Sequence, residues 1–258
     1  MASMNIELPL WLGDDPGAPF PPVSRALREP DGLLAAGGDL SPGRLLDAYA
    51  HGIFPWYSEG QPILWWSPDP RMLFRTGTVH LSSRFRRGLR RSDWQVRADT
   101  AFDDVIDACA CAPRAGQAGT WITAAMRDAY VALHRLGHAH SVEVFDGARL
   151  VGGLYGVAIG RMFFGESMVS IASGGSKVAL AALAHRLRQW GWPLVDAQVE
   201  NAHLLRLGAE SWPRARFIAA IDALCRRPAE PGAWTTRFGT LPARDLAVPG
   251  PGVNGNFA

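Results

Sequence analysis

Residues 52–71 read GIFPWYSEGQPILWWSPDPR, and this stretch organises the fold of the chain. It carries three of the ten tryptophans and four of the nineteen prolines. Because proline fixes φ and interrupts helices, the segment must run extended and turn repeatedly. Its tryptophan rings bring a large apolar area that favours burial. The segment is therefore either an aromatic core element that joins two parts of the protein, which is the commoner outcome, or the rigid floor of an apolar pocket.

The composition is that of an ordinary globular protein. The 258 residues suffice for one large or two ordinary domains, and 48% are hydrophobic and 19% charged. A net charge of +2 is too small to indicate a nucleic-acid partner, so such a claim depends on local clusters. Three cysteines without a framework spacing favour a reducing compartment. With no long apolar run and no secretory signal, we expect a cytoplasmic protein without a membrane segment.

Patterns on both sides of the opening stretch predict two domains and a tail. Ser41 and Pro42 begin a helix, and the Pro68–Asp69–Pro70 turn ends an N-terminal domain that we assign to residues 1–70. A hairpin, a strand, a helix, a strand and further helices follow. That order resembles the core of the GNAT acyltransferases, so residues 71–227 are predicted to form a GNAT-like catalytic domain. Residues 228–258 form a loop-rich tail. The predicted class is α+β, with a small N-terminal α/β domain and a GNAT-like C-terminal domain.

A basic cluster follows the predicted boundary, in SSRFRRGLRR over residues 82–91. Read as a helix, this stretch aligns Arg84, Arg87 and Arg91 along one line and sets an apolar stripe beside them. Such a run is commonly a solvated face. Five arginines without interleaved glutamates also suit a phosphate backbone.

Two acidic positions stand out on apolar strands. Asp196 and Gln198 alternate in PLVDAQV, residues 193–199, so both side chains are predicted to share one face. A buried carboxylate is costly unless it is paired, so Asp196 either forms an Asp–Arg or capping pair or acts with Gln198 on an attacking amine. Glu166, in FGESM, is either half of a structural salt bridge or a group that holds an ammonium or a basic side chain.

Six stretches, in order, resemble the leucyl/phenylalanyl-tRNA–protein transferases. The six stretches are GGDLSPGRLLDAYAHGIFPWYSEGQPILWWSPDPR (37–71), GTWIT (119–123), LGHAHSVEV (136–144), LVGGLYGVAIG (150–160), FGESM (164–168) and DAQVEN (196–201). The resemblance as a whole runs from about residue 20 to residue 226. The resemblance implies an aminoacyltransferase that moves Leu or Phe, and also Met, from aminoacyl-tRNA to the α-amino group of proteins with N-terminal Lys or Arg, which marks them for N-end-rule degradation. Its implied partners are Leu-tRNA, Phe-tRNA and those acceptor proteins. We expect a monomer and no cofactor, since an aminoacyl ester is already activated.

The resemblance also implies roles for particular positions. Asp196 and Gln198 match positions of catalytic importance in the family. The implied aminoacyl pocket, to which we add Glu166, is lined by Trp56, Trp121, Leu154, Phe163, Met168 and Val195. We assign tRNA binding to Arg84, Arg87, Arg91, Lys177 and His203. Leu154 stands where methionine is common in the family, and SGGSK, residues 173–177, replaces a more usual asparagine–alanine pair before Ser–Lys.

Two alternative functions remain open on the sequence. A CoA-dependent GNAT N-acetyltransferase would need a pyrophosphate loop, and residues 171–176 lack the arginine or glutamine that precedes its glycines. The other alternative is a non-catalytic module that binds tRNA or a peptide. We predict no metal site, since His138, His140 and His203 lack the further converging ligands that a metal requires.

Overall fold

A computed structural model describes residues 8–13, 15, 17–112 and 121–248, and within them the chain forms two sheets with helices. The smaller sheet has the order β1-β2-β4-β3 and comprises β1 (Leu10–Leu12), β2 (Leu33–Gly37), β3 (Phe54–Pro55) and β4 (Leu64–Trp66). Helix α1 (Pro42–Ala50) begins at the predicted proline and buries Leu45, Ala48 and Tyr49.

The tryptophans of the opening stretch divide between the two interpretations. Trp65 is fully buried in β4, and its indole Nε1 donates to the carbonyl oxygen of Gly37 at 2.9 Å, so this residue is core. Trp56 is 36% exposed and lies beside Trp66, whose Nε1 donates to the Trp56 carbonyl at 2.7 Å. The segment therefore contributes Trp65 to the core, whereas Trp56 lies at the edge of an open surface.

The larger sheet has eight strands in the order β11-β5-β10-β9-β8-β7-β6-β12. They are β5 (Arg71–Arg75), β6 (Gln95–Ala98), β7 (Ala139–Asp146), β8 (Arg149–Ile159), β9 (Met162–Ser170), β10 (Leu194–Gln198), β11 (Glu210–Trp212) and β12 (Leu241–Pro242). The predicted hairpin is confirmed as β7 and β8, which are joined at Gly147 with φ of +60°. The mixed α+β class is confirmed as well.

Helices cover both faces of the larger sheet, so each face has its own apolar core. The remaining helices are α2 (Ser83–Leu89), α3 (Phe102–Cys111), α4 (Ala124–Arg135), α5 (Gly175–Gln189), α6 (Ala202–Arg206), α7 (Arg214–Cys225) and α8 (Thr235–Phe238). One core joins α1, α3, α4 and α7 to the small sheet, and the other lies under α2 and α5. The N-terminal sheet therefore shares a core with the larger one.

Two predictions on elements need correction. Helix α2 ends at Leu89, so Arg91 lies in the following turn and the predicted helical line of three arginines is broken at its end. The tail predicted as loop-rich is packed as far as Ala247: Trp234, Phe238 and Leu241 are buried, and β12 pairs with β6. These side chains are scattered without period, so no sequence pattern marked them as core.

Strands β9 and β10 separate soon after they meet. This is a parallel pair whose register covers Val195 with Phe163 and Asp196 with Phe164. Beyond these residues β9 continues to Ser170, whereas β10 bulges between Asp196 and Gln198 and ends. The gap that opens there holds the candidate active site.

Candidate active site

A cavity of about 840 Å³ lies where β9 and β10 separate. Its lining includes every side chain assigned to the aminoacyl pocket, namely Trp56, Trp121, Leu154, Phe163, Glu166, Met168 and Val195. The strand register explains why four of them meet: Leu154 pairs with Met168 across β8 and β9, and Val195 pairs with Phe163 across β10 and β9. The cavity therefore has one apolar wall of adjacent strand residues.

Glu166 and Gln198 form a hydrogen-bonded pair in this cavity. The Gln198 amide Nε2 donates to Glu166 Oε1 at 2.7 Å. Because Nε2 is engaged, the carbonyl oxygen Oε1 is the end of the amide that can accept a hydrogen bond from a bound molecule. Burial raises the pKa of the Glu166 carboxyl from an ordinary value of 4.5 to about 7. This carboxyl can therefore exchange a proton near neutral pH.

Asp196 is held differently from the predicted regular alternation. Its side chain is 0% exposed, and both carboxylate oxygens accept from Arg71, Oδ1 from Nε at 2.8 Å and Oδ2 from Nη2 at 2.7 Å. Oδ1 also accepts from the backbone N–H of Gln198 at 3.0 Å. The Asp–Arg pair that the sequence left open is therefore present, and Asp196 also lines the cavity.

A backbone irregularity orients Gln198. Its φ is +61°, in a region that costs a non-glycine residue on the order of 1–3 kcal/mol. The hydrogen bond from its N–H to Asp196 stabilises this conformation at the bulge. The bulge breaks the predicted alternation, and it places the Gln198 amide against Glu166.

Sequence reasoning missed two residues behind Glu166. The Tyr130 hydroxyl donates to Glu166 Oε2 at 2.7 Å, and the Tyr49 hydroxyl lies 2.5 Å from that of Tyr130. The helical period indicates only that both residues face inward on their helices, α1 and α4. An acid on an apolar strand was the available signal, since a buried carboxylate requires donors.

The residues assigned to tRNA lie in three places. Arg84 and Lys177 line a second cavity of about 420 Å³ beside α2, whereas Arg87 and Arg91 are exposed outside it. His203 lines the first cavity, and partial burial, with the charges of Lys177 and Arg206, lowers its pKa. The basic side chains therefore extend from α2 towards the mouth of the candidate active site.

The described residues contain neither a cluster of metal ligands nor a membrane-spanning helix. No three histidine, cysteine, aspartate or glutamate side chains converge within that part of the chain in a way that could hold a metal ion. Among the helices described there, none is long and apolar enough to cross a membrane.

Comparisons with known proteins identify the family of the chain. The family model of the leucyl/phenylalanyl-tRNA protein transferase matches residues 73–222, more than half of the chain, and that of its N-terminal domain matches residues 38–69. The chain belongs to this family. A leucyl/phenylalanyl-tRNA–protein transferase of Xanthomonas axonopodis pv. citri (strain 306) is 70% identical over 94% of this chain and 98% of its own.

A more distant relative and a solved structure complete the comparison. The family protein of Xylella fastidiosa (strain 9a5c) is 62% identical over 92% of this chain and 98% of its own length. A functionally unknown conserved protein from Staphylococcus epidermidis ATCC 12228 superposes with a TM-score of 0.39 at 10% identity, over 70% of this chain and 68% of its own. The two transferases from Xanthomonas and Xylella match this chain nearly end to end.

Proposed function

We propose that this protein transfers Leu or Phe, and also Met, from aminoacyl-tRNA to the α-amino group of proteins that begin with Lys or Arg, in the cytoplasm, where it marks them for N-end-rule degradation. The observation that carries the proposal is the cavity in which an apolar wall ends at the Glu166–Gln198 pair, in a chain of this family. The apolar wall suits an aliphatic or aromatic side chain, and the polar pair suits the ester next to it.

The fold supports the same reaction. The separating parallel strands β9 and β10 are the arrangement on which we base a GNAT-like catalytic domain. An acyl-transfer fold of this kind positions an activated acyl donor in the gap.

The chemistry needs orientation and one proton acceptor. The acceptor's α-amino group has a reference pKa near 8, so about a tenth is neutral at pH 7. The amine nitrogen forms the new amide bond, the ester C–O bond breaks, and the 3′-oxygen of the tRNA leaves with the proton that the amine gives up. Gln198 Oε1 accepts from an N–H of the amine and aligns it, while Glu166 takes and returns the proton.

Asp196 acts in this scheme as a positioning residue. Two direct roles, attraction of the cationic acceptor and acceptance of its proton, would each need a carboxylate oxygen that is free to meet the amine. Both carboxylate oxygens are engaged by Arg71, and one also by the Gln198 N–H, so the arrangement favours a role in holding Gln198. Positioning of this kind contributes to rate through geometry.

The aminoacyl-tRNA is favoured over CoA by the start of α5. In a CoA-dependent acetyltransferase a pyrophosphate would accept from the free N–H groups there. Here the N–H of Gly175 donates to Ala172 O at 3.0 Å and that of Ser176 to Ser170 Oγ at 2.9 Å. The Phe85 ring also lies against Gly174. The nearby cations Arg84 and Lys177 instead suit tRNA phosphates, and we propose that Arg87, Arg91 and His203 extend this contact.

The test supplies labelled Leu-tRNA and a peptide that begins with Arg, without ATP, CoA or divalent metal. We expect an extended peptide, and much less product from a matched peptide that begins with Glu. Transfer that requires acetyl-CoA would support the acetyltransferase instead. Binding of tRNA without any extended peptide would identify a non-catalytic module.

A further inference from the structure

Two tyrosine hydroxyls form a series of hydrogen bonds behind Glu166. The Tyr130 hydroxyl donates to Glu166 Oε2 at 2.7 Å, and its oxygen lies 2.5 Å from the Tyr49 hydroxyl. The single hydroxyl hydrogen of Tyr130 is engaged in its hydrogen bond to Glu166. Tyr49 is therefore the donor in the hydrogen bond between the two tyrosines. Both side chains are 0% exposed, and neither lines the cavity. The series of hydrogen bonds therefore runs from Tyr49 through Tyr130 to Glu166, and neither tyrosine is placed to contact a bound substrate.

Packing fixes both rings, and burial keeps both hydroxyls protonated. The Tyr49 ring packs on Phe164 with centroids 5.3 Å apart, and the Tyr130 ring meets Tyr155 edge-on at 5.4 Å. Burial, followed by the negative charge of Glu166, raises the pKa of Tyr49 and of Tyr130 well above the usual 10. Both residues therefore remain hydrogen-bond donors throughout the physiological pH range.

The series of hydrogen bonds ends at the Gln198 side-chain amide, which faces the cavity. One oxygen of Glu166 accepts from Tyr130, and the other accepts from Gln198 Nε2 at 2.7 Å. A carboxylate held at both oxygens has one orientation, and the amide that donates to it is fixed as well. A buried hydroxyl is costly unless it is partnered, so simple packing at these positions would need only phenyl rings.

We propose that Tyr49 and Tyr130 are positioning residues of the transfer reaction, which hold Glu166 and, through it, the Gln198 amide in the orientation that aligns the attacking amine. This inference rests on the proposed function, and it assigns no contact with substrate to either tyrosine. Since Tyr49 lies on α1, it also makes the N-terminal part of the chain a component of the catalytic centre.

The first test compares three Tyr→Phe variants in steady-state transfer assays. Y130F removes the donor to Glu166 and keeps the ring, so kcat should fall about 10- to 100-fold while KM for Leu-tRNA changes by less than about two-fold. Y49F removes one bond further away and should lower kcat less. Y57F is the matched control, because the buried Tyr57 hydroxyl forms its hydrogen bond with Thr123, at 3.4 Å, and is not part of the series that ends at Glu166. It should keep the native kcat.

The second readout is the pH profile of kcat. The ionisable groups that face Glu166 are Tyr49 on α1, Tyr130 on α4, Tyr155 on β8 and Asp196 on β10, the last paired with Arg71 on β5. The hydrogen bond that Tyr130 donates favours the charged form of Glu166, so its removal raises the pKa of Glu166. The acid limb of the profile should therefore move to higher pH in Y130F and stay in place in Y57F.

A double variant separates positioning from structural damage. Because Tyr130 acts through Glu166, the Y130F/E166Q enzyme should be no slower than E166Q alone, whereas unrelated defects would multiply. Thermal melting checks each variant, and if Y130F does not fold, Y49F carries the same comparison. A wild-type enzyme that transfers no Leu overturns the proposed function. An active wild type whose Y49F and Y130F variants keep the native kcat and pH profile overturns this inference alone.

Discussion

The Arg71 guanidinium and the Asp196 carboxylate form a bidentate ion pair inside the protein, with nitrogen–oxygen distances of 2.8 and 2.7 Å. The Arg71 side chain is also placed between the rings of Phe54 and Phe217, at 4.8 and 4.7 Å, and its Nη1 donates to the Gly52 carbonyl at 3.0 Å. One arginine therefore ties the first residue of the proline-rich stretch to the strand that carries Gln198.

We expect Asp196→Asn to lower the free energy of unfolding by about 3–5 kcal/mol, because it leaves the buried Arg71 charge without its partner. Chemical denaturation measures this loss. The exposed Asp222–Arg226 pair provides the control, since Asp222→Asn should change stability by less than about 1 kcal/mol. Equal effects of the two substitutions would contradict the assigned importance of the buried pair.

Asp196→Asn should also slow the transfer step in the folded variant. The new amide NH₂ would oppose the donors of Arg71, so the bulge that holds Gln198 would shift. We expect kcat to fall by about 10²–10⁴ with tRNA affinity nearly unchanged. Single-turnover transfer at saturating tRNA and peptide measures this directly. A native rate there would restrict Asp196 to folding.

Glu166 should make the stability of the protein depend on pH. Its carboxyl has a pKa near 7 in the fold and 4.5 when exposed, so the native state binds the proton more tightly. The contribution of Glu166 is therefore largest below pH 4.5, and about 3 kcal/mol is lost as the pH rises to 7 and above. The difference in unfolding free energy between wild type and Glu166→Gln should change by that amount between pH 4.5 and pH 8. A constant difference would show that Glu166 does not titrate in this range.

The sequence predicted the elements well and their tertiary contacts poorly. The hairpin of β7 and β8 and the start of α1 follow from local turn and capping residues. The need of Asp196 for a partner followed from burial, but its partner lies 125 residues away and only the folded sheet brings the two together. The bulge before Gln198 depends on pairing with β5, so alternation along one strand could not reveal it.

The candidate site was predicted mainly by resemblance. Composition alone left Trp56, Phe163 and Met168 as core or pocket, because both environments favour the same apolar side chains. Tyr49 and Tyr130 were recognisable as inward-facing helix residues, but a helical pattern does not indicate that two hydroxyls from different helices meet at one carboxylate.

The basic cluster on and after α2 should bind tRNA through phosphates. Changing Arg84, Arg87 and Arg91 to Ala should weaken binding of all tRNA sequences alike and reduce the slope of log K against log salt by about one unit per lost contact. Filter binding across a salt series measures both. A triple alanine variant of the exposed Arg25, Arg28 and Arg149 is the control for lost charge. If the two triple variants behave alike, α2 contributes only general charge.

The apolar wall should hold the aminoacyl side chain in both the ground state and the transition state. Trp121 is half-buried and lines the cavity, so Trp121→Ala should raise KM for Leu-tRNA and leave kcat nearly unchanged. Phe163 is 0% exposed and also packs on Trp234 at 5.7 Å, so Phe163→Ala should in addition lose about 3–5 kcal/mol of stability. Melting curves precede the kinetics, and Phe238→Ala, a buried truncation outside the cavity lining, is the control for lost packing. A folded Trp121→Ala enzyme with native KM would exclude that residue from the aminoacyl pocket.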